Sequence, residues 1–141
     1  MPDILEDLGH LALGSRLKRL AERMQADALK IHERAGLQTQ PSHFPMLTAL
    51  DRYGDLTVNE AVNALGVSQP AVTRCLTALI DFDLVQTTPS ETDRRQKTIS
   101  LTEAGHAAVA RMKRDVFPGV ERAAAELCAG APADFLTHLN R

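Results

Sequence analysis

Residues 57–102 constrain the fold of this 141-residue chain more than any other stretch, because four structural signals follow one another there in a fixed order. Thr57-Val58-Asn59-Glu60 predicts a capping box, in which the threonine hydroxyl accepts from a helix amide and the glutamate reaches back. Leu65-Gly66-Val67-Ser68 predicts a stop and a restart, with Gly66 left-handed after one helix and Ser68 the N-cap of the next. Pro70 falls in the first turn of that second helix, where a missing N–H costs nothing. Val72, Leu76, Leu79 and Ile80 then recur at helical spacing on one face, while Gln69, Thr73, Arg74 and Thr77 share the other. After Asp83-Leu84-Val85 the pattern becomes strand, turn, strand, over about Leu84–Thr88 and Lys97–Leu101, with Thr87, Thr98 and Ile99 as the β-branched residues. Pro89-Ser90-Glu91-Thr92-Asp93 between them is polar and turn-forming.

The second helix presents amide, hydroxyl and guanidinium groups, which can hydrogen-bond base edges and phosphates in a major groove. Any surface helix is polar opposite its apolar stripe, so this face alone fits a solvated surface equally well. The ribbon tilts the balance. An arginine at its tip is long enough to enter a minor groove, where negative potential is concentrated. Asp93 beside Arg94 and Arg95 cancels attraction to phosphate, but a carboxylate can hold a guanidinium in one geometry. Alone, Asp93, Arg94, Arg95 and Lys97 read as a solvated hairpin tip. Behind two capped helices they complete the order of a winged helix-turn-helix, a mainly α fold with a small β-wing.

Leu65-Gly66-Val67-Ser68-Gln69-Pro70-Ala71-Val72-Thr73-Arg74, Leu84-Val85, Asp93-Arg94-Arg95 and Leu101-Thr102-Glu103-Ala104-Gly105 together resemble the core of MarR-family regulators. The likeness covers the whole chain in layout and about Leu56 to Gly105 in motifs. It implies a homodimer that puts a recognition helix of each subunit into the major groove and a wing into the flanking minor groove. Ser68, Gln69, Thr73 and Arg74 match recognition-helix contacts, Arg95 the wing-tip arginine, and Asp93 its holder. One departure stands out: Ser90-Glu91-Thr92 occupies the place where many members carry a further Asp-x-Arg, which weakens the wing's positive charge. The residues expected at DNA are Thr57, Asn59, Ser68, Gln69, Pro70, Thr73, Arg74, Thr77, Asp93, Arg94, Arg95 and Lys97. Two recognition helices imply half-sites about one helical turn, ~10 bp, apart in a near-palindromic operator. The resemblance also implies effector control through a cleft between the dimer helices and the reading head. His10, Arg16, His43 and Phe44 are lining residues there by position only, with ordinary packing the simpler role for each.

The outer thirds read as assembly. Leu13, Leu17, Leu20, Met24, Ala28 and Ile31 recur every three or four residues along a long helix with a fairly basic back. Residues 103–128 form a second helical pattern with Val109, Met112, Val116, Val120 and Leu127 as apolar points, broken by Pro118-Gly119 near Phe117. Pro41, Ser42 and Pro45 open a middle helix holding Phe44, Leu47 and Leu50, closed by Gly54. The predicted organisation is one domain, 1–141, with dimerisation helices in 1–35 and 103–141 and a DNA-binding lobe at 42–102. The helix opening at Pro132 reads as short for completing a dimer interface. The stretch Leu11–Leu20 also resembles a subset in which such a module precedes an acetyltransferase domain, so a part of a longer polypeptide is the alternative to a compact regulator.

Composition narrows the remaining classes. A net charge of −2 rules out a grossly basic nucleic-acid coat protein, but DNA binding depends on the local patch. Aromatic content of 4% argues against a stacking platform for single strands. No apolar run spans a membrane and no signal-peptide layout opens the chain, so the cytoplasm is the default. Cys75 and Cys128 lack metal-type or redox-type spacing, and Cys75 reads as a packing residue. The histidines at 10, 32, 43, 106 and 138 are scattered; His32-Glu33 with His106 is the weak metal alternative. No nucleophile elbow, phosphate-binding glycine loop or zinc-protease helix is present, so neither enzyme activity nor a cofactor is expected. A winged helix used for protein docking is the rival that salt-dependent DNA retention would separate.

Overall fold

The computed structural model describes residues 1–89 and 97–135. Helices α1 (Ile4–Asp7) and α2 (Leu13–Arg34) are followed by α3 (Phe44–Tyr53), strand β1 (Leu56–Thr57), α4 (Val58–Leu65) and α5 (Gln69–Asp81). Strands β2 (Val85–Pro89) and β3 (Lys97–Leu101) precede α6 (Glu103–Asp115) and α7 (Phe117–Cys128). The three strands form an antiparallel sheet in the order β1-β3-β2. Its register pairs Val85 with Leu101, Thr87 with Ile99 and Pro89 with Lys97, while Leu56 of β1 faces Ile99 across the other edge. The hairpin matches the predicted strands to within a residue. The two-residue β1 was not anticipated, because it has no periodicity of its own and exists only by pairing with β3.

The core belongs to the middle of the chain. Met46, Leu47 and Leu50 of α3, Ala61 of α4, Val72 and Leu79 of α5, Val85 and Ile99 of the sheet, and Val109 and Met112 of α6 pack into one buried cluster. Alternation along β3 puts Ile99 and Leu101 inward, as a half-buried strand requires. Of the predicted α5 stripe, Val72, Leu76 and Leu79 are buried but Ile80 is exposed, a correction. The period sets a direction around the helix, and Ile80, next to the helix end at Asp81, meets no core there.

The flanking helices differ. α2 is 22 residues long, about 33 Å at 1.5 Å per residue, and His32 is its only buried residue. Leu13, Leu17, Leu20 and Met24 of its apolar stripe are exposed, and so is Leu127 of α7. The α6–α7 break falls at Val116, with Pro118 in the first turn of α7, so the proline ends one helix and starts another as expected. The N-terminal segment is tied along α2: Arg16 donates from Nε and Nη2 to the Leu5 carbonyl at 2.9 and 2.7 Å. Arg19 pairs with Asp3 and holds that carboxyl below its ordinary range.

Two helix ends close in the same way. After α2, Gly36 (φ 67°) donates to the Glu33 carbonyl and Leu37 to that of His32, the paired bonds of a left-handed C-terminal closure. After α5, Asp83 (φ 55°) donates to Ile80 and Leu84 to Leu79 in the identical pattern, without a glycine. Thr102 locks this second closure to α6. Its hydroxyl donates to the Asp83 carbonyl at 2.6 Å and accepts from the Gly105 amide at 3.0 Å, and its own amide donates to the Leu84 carbonyl. A Cβ on Gly105 would lie 2.0 Å from the Leu84 oxygen, so only glycine permits this approach.

Candidate nucleic-acid interface

The helix-turn-helix is built as the local sequence dictates. The Thr57 amide donates to Glu60 Oε2 at 2.7 Å, and the Glu60 amide donates to Thr57 Oγ1 at 3.3 Å. Donors from Thr57, amide first and hydroxyl second, hold the Glu60 carboxyl below its ordinary range. Gly66 adopts φ 63° and closes α4. Ser68 occupies the N-cap position in an extended conformation, but its hydroxyl makes no capping bond, which corrects the expected cap. The Ser68 carbonyl accepts from the amides of Ala71 and Val72 in the first turn of the helix, at 3.0 and 3.1 Å. Its hydroxyl has no hydrogen-bond partner among the described residues.

The outer face of α5 is uniformly open. Gln69, Pro70, Thr73, Arg74 and Thr77 are all exposed, opposite the buried Val72, Leu76 and Leu79. Thr73 Oγ1 donates to the Gln69 carbonyl and Thr77 Oγ1 to the Thr73 carbonyl, each at 3.0 Å. These hydroxyls present acceptor lone pairs outward, their protons being committed to the helix. Arg74 forms no hydrogen bond or ion pair with a described residue. Asn59 is exposed on α4, and Lys97 is exposed where β3 begins. Asp93, Arg94 and Arg95 lie outside the described residues.

Behind this face Cys75 is half-buried, and burial pushes its thiol up from the ordinary value, away from the reactive thiolate. Among the described residues no cluster of three or more His, Cys, Asp or Glu could hold a metal ion. His106 is exposed, whereas His32 is buried with Nδ1 3.2 Å from Thr39 Oγ1. His43 is also buried, its Nδ1 accepting from the Gln40 amide at 3.3 Å. Desolvation lowers both imidazoles below their ordinary value, and His32 lowers His43 further.

A cavity of about 360 Å³ opens between α2, the start of α3 and the α6–α7 break. Met24, His32, Phe44, Phe117 and Val120 line it. Of the four lining residues expected from sequence, only Phe44 is on its wall. His43 lines a separate pocket beneath α5, and Arg16 is engaged by the Leu5 carbonyl. Phe117, Val120 and His32 were missed because the break at Val116 brings distant segments together. A buried-type histidine on the last turn of an apolar-striped helix was the available signal.

A family model described as the MarR family matches residues 36–96. The transcriptional repressor CouR, solved bound to a 23-mer DNA duplex, superposes with a TM-score of 0.77 at 31% identity, covering 95% of this chain and 97% of that one. The HTH-type transcriptional repressor MdtR of Bacillus subtilis is 30% identical over 89 residues, 63% of this chain and 56% of that protein. The HTH-type transcriptional regulator PetP of Rhodobacter capsulatus is 33% identical over 64 residues, 45% of this chain and 39% of that protein. The chain thus spans about half the length of the curated relatives it matches.

Proposed function

The chain belongs to the MarR family, and from that premise we propose that it is a transcriptional regulator that binds double-stranded DNA as a homodimer on a pseudo-palindromic site. The observation that carries this reading is the outer face of α5, where Gln69, Thr73, Arg74 and Thr77 stand exposed on a helix whose other side is anchored in the core. A rigid helix whose guanidinium has no partner among the described residues, with acceptors facing outward, suits a major groove. Ser68 and Pro70 extend the contact at its N-terminus, and Thr57, the N-cap of α4, and Asn59 in its first turn meet the backbone. Lys97 sits where β3 begins, and Asp93, Arg94 and Arg95 are assigned to minor-groove contact from the sequence alone. CouR, similar over nearly its whole length, is solved bound to a DNA duplex, which supports DNA binding as the function.

The division of labour follows. Residues 42–102 are the reading head, and 1–35 with 103–141 form the dimer helices, whose exposed leucines and Met24 bury against a second copy. A small-molecule effector occupies the cavity at the α6–α7 break and biases the spacing of the two heads through its differential affinity for them. The family is one of regulators, and the chain acts without catalysis in the cytoplasm.

The test is binding of the purified chain to the intergenic DNA beside its gene at two salt concentrations, with Arg74→Ala and Arg95→Ala alongside. Salt-sensitive protection of a pseudo-palindrome, weakened in both variants, is the expected result, since phosphate contacts release counterions. Gln69→Ala should alter base preference, each good base contact being worth about 1–3 kcal/mol. A folded dimer that fails to bind at low salt overturns the reading in favour of protein docking.

A further inference from the structure

The end of the recognition helix, the base of the wing and the start of α6 meet at one side chain. Residues 82–84 link α5 to β2, and the hairpin returns through β3 to Thr102, the N-cap of α6. Thr102 Oγ1 donates to the Asp83 carbonyl at 2.6 Å and accepts from the Gly105 amide at 3.0 Å. The Thr102 amide donates to the Leu84 carbonyl at 3.1 Å. Val85 pairs with Leu101, so the entry and the exit of the wing are joined directly beside these bonds. Among the described residues, Asp83 (φ 55°) is the only non-glycine with a positive φ. A side chain with a Cβ disfavours that conformation, which persists where the surroundings over-determine it. Here they do so from both ends of the residue: the Asp83 amide is held by Ile80 and its carbonyl by Thr102.

We propose that Thr102 is a positioning residue, whose bonds set the angle between the recognition helix α5 and the β2–β3 wing. It acts through the turn and touches no DNA itself. Its hydroxyl is engaged both as donor and as acceptor, which fixes the side chain together with the turn. α5 is anchored along its length by Val72, Leu76 and Leu79, whereas the wing is buried only toward its inner end, at Val85, Ile99 and Leu101. Its outer residues Thr88, Pro89 and Lys97 are exposed, so the ribbon projects like a lever from its base. Over the length of β2, about 13 Å at 3.3 Å per residue, a rotation of about 10° displaces the outer end by about 2 Å. A displacement of that size breaks a hydrogen bond. Major-groove reading and flanking minor-groove contact are thereby coupled through one hydroxyl. The assignment rests on the regulator reading proposed above.

The test compares Thr102→Val, which keeps the shape and loses the hydroxyl, with Thr102→Ser, which keeps the hydroxyl. Each full-length variant is titrated with the duplex protected in the footprint, its flanks outside the half-sites made all A/T or all G/C. In Thr102→Val the preference for A/T flanks should shrink by at least about threefold, with affinity on G/C flanks little changed. Thr102→Ser should restore the preference. Val109→Ala is the control: a core cavity lowers stability but, at matched folded fraction, should leave the flank preference alone. An unchanged preference in Thr102→Val, equal losses on both duplexes, no rescue by serine, or a wild type indifferent to its flanks overturns the assignment. Hydrogen exchange of the free protein gives a readout without DNA. The Asp83 and Leu84 amides should exchange at least about tenfold faster in Thr102→Val, while those of Val109 and Met112 stay as they were. Unchanged exchange sinks the assignment whatever DNA does. Faster exchange in a chain that binds no duplex overturns the regulator reading, and the positioning role with it, but leaves the contact itself standing.

Discussion

The reading head and the long flanking helices solve the same problem differently. In the head, α3, α4, α5 and the sheet turn their apolar faces toward one another, and Leu47, Ala61, Val72, Leu79 and Ile99 lose all contact with water. α2 has a comparable stripe but leaves Leu13, Leu17, Leu20 and Met24 in solvent, and α7 buries no residue at all. Most helical stability comes from packing of an amphipathic face, so a second surface over this stripe would stabilise it. The head closes its core with Val109 and Met112 of α6, whereas the stripe of α2 stays open within the single chain.

The sharpest break of that contrast is a matched pair of substitutions. Leu79→Ala opens a hole in a closed core and should cost about 2–5 kcal/mol, independent of protein concentration. Leu20→Glu touches no core and should leave the fold of the head intact, yet convert dimers to monomers in sedimentation and make DNA affinity depend steeply on concentration. A Leu20→Glu protein that stays dimeric would end the claim that the stripe is an interface.

Gly105→Ala attacks the joint between the two regions. The added methyl cannot coexist with the Leu84 oxygen 2.0 Å away, so α6 must shift from the α5–β2 turn at a cost of about 1–3 kcal/mol, as in overpacked cores. Because the turn carries both the recognition helix and the wing, operator affinity should fall further than thermal stability predicts. Equal losses, compared by calorimetry and by DNA titration at matched folded fraction, would reduce Gly105 to a packing residue.

A smaller effect is expected from pH at the seam between α2 and α3. His32 and His43 are buried with their imidazoles held below the ordinary value near 6.5, by desolvation first. The unfolded chain then takes up protons before the folded one, so stability is full above that value and is lost as pH falls through it. The melting temperature should drop between about pH 7.5 and 5.5, and drop less in His43→Gln. An unchanged slope in that variant would remove His43 from the account.

What the sequence disclosed follows the same divide. The capping box at Thr57, the left-handed Gly66 and the hairpin strands were legible because each depends on neighbours within a few residues. The outward face of α5 was legible for the same reason, but its extent was not: Ile80 lies on the stripe and still meets solvent. Ser68 holds the cap position with a free hydroxyl, since residue type gives the preference and not the rotamer. β1, the Thr102–Asp83 lock and the cavity wall of His32, Phe44 and Phe117 join residues far apart in the chain, and no periodicity encodes them. The stripe on α2 was readable, and its exposure in the single chain is what the predicted second subunit requires.

The smallest effect concerns the two matching helix closures, one in each region. Gly36 ends α2 with φ 67°, a conformation glycine adopts freely, while Asp83 ends α5 with φ 55° and the same two backbone bonds. A left-handed residue with a Cβ costs about 1–2 kcal/mol, less for aspartate than for most. Thr102 pins the Asp83 carbonyl at 2.6 Å, so the strain is held by the contact that fastens α6 to the head. Asp83→Gly removes the steric cost but frees the unfolded chain, which returns about 0.4–1 kcal/mol. The net expectation is a gain below about 1 kcal/mol, seen as a higher urea midpoint with an unchanged slope. Gly36→Asp should lose a similar amount, because the geometry is the same and only the residue differs. If Asp83→Gly is instead destabilised, the aspartate side chain itself supports the turn, and the two closures are alike only in their backbone.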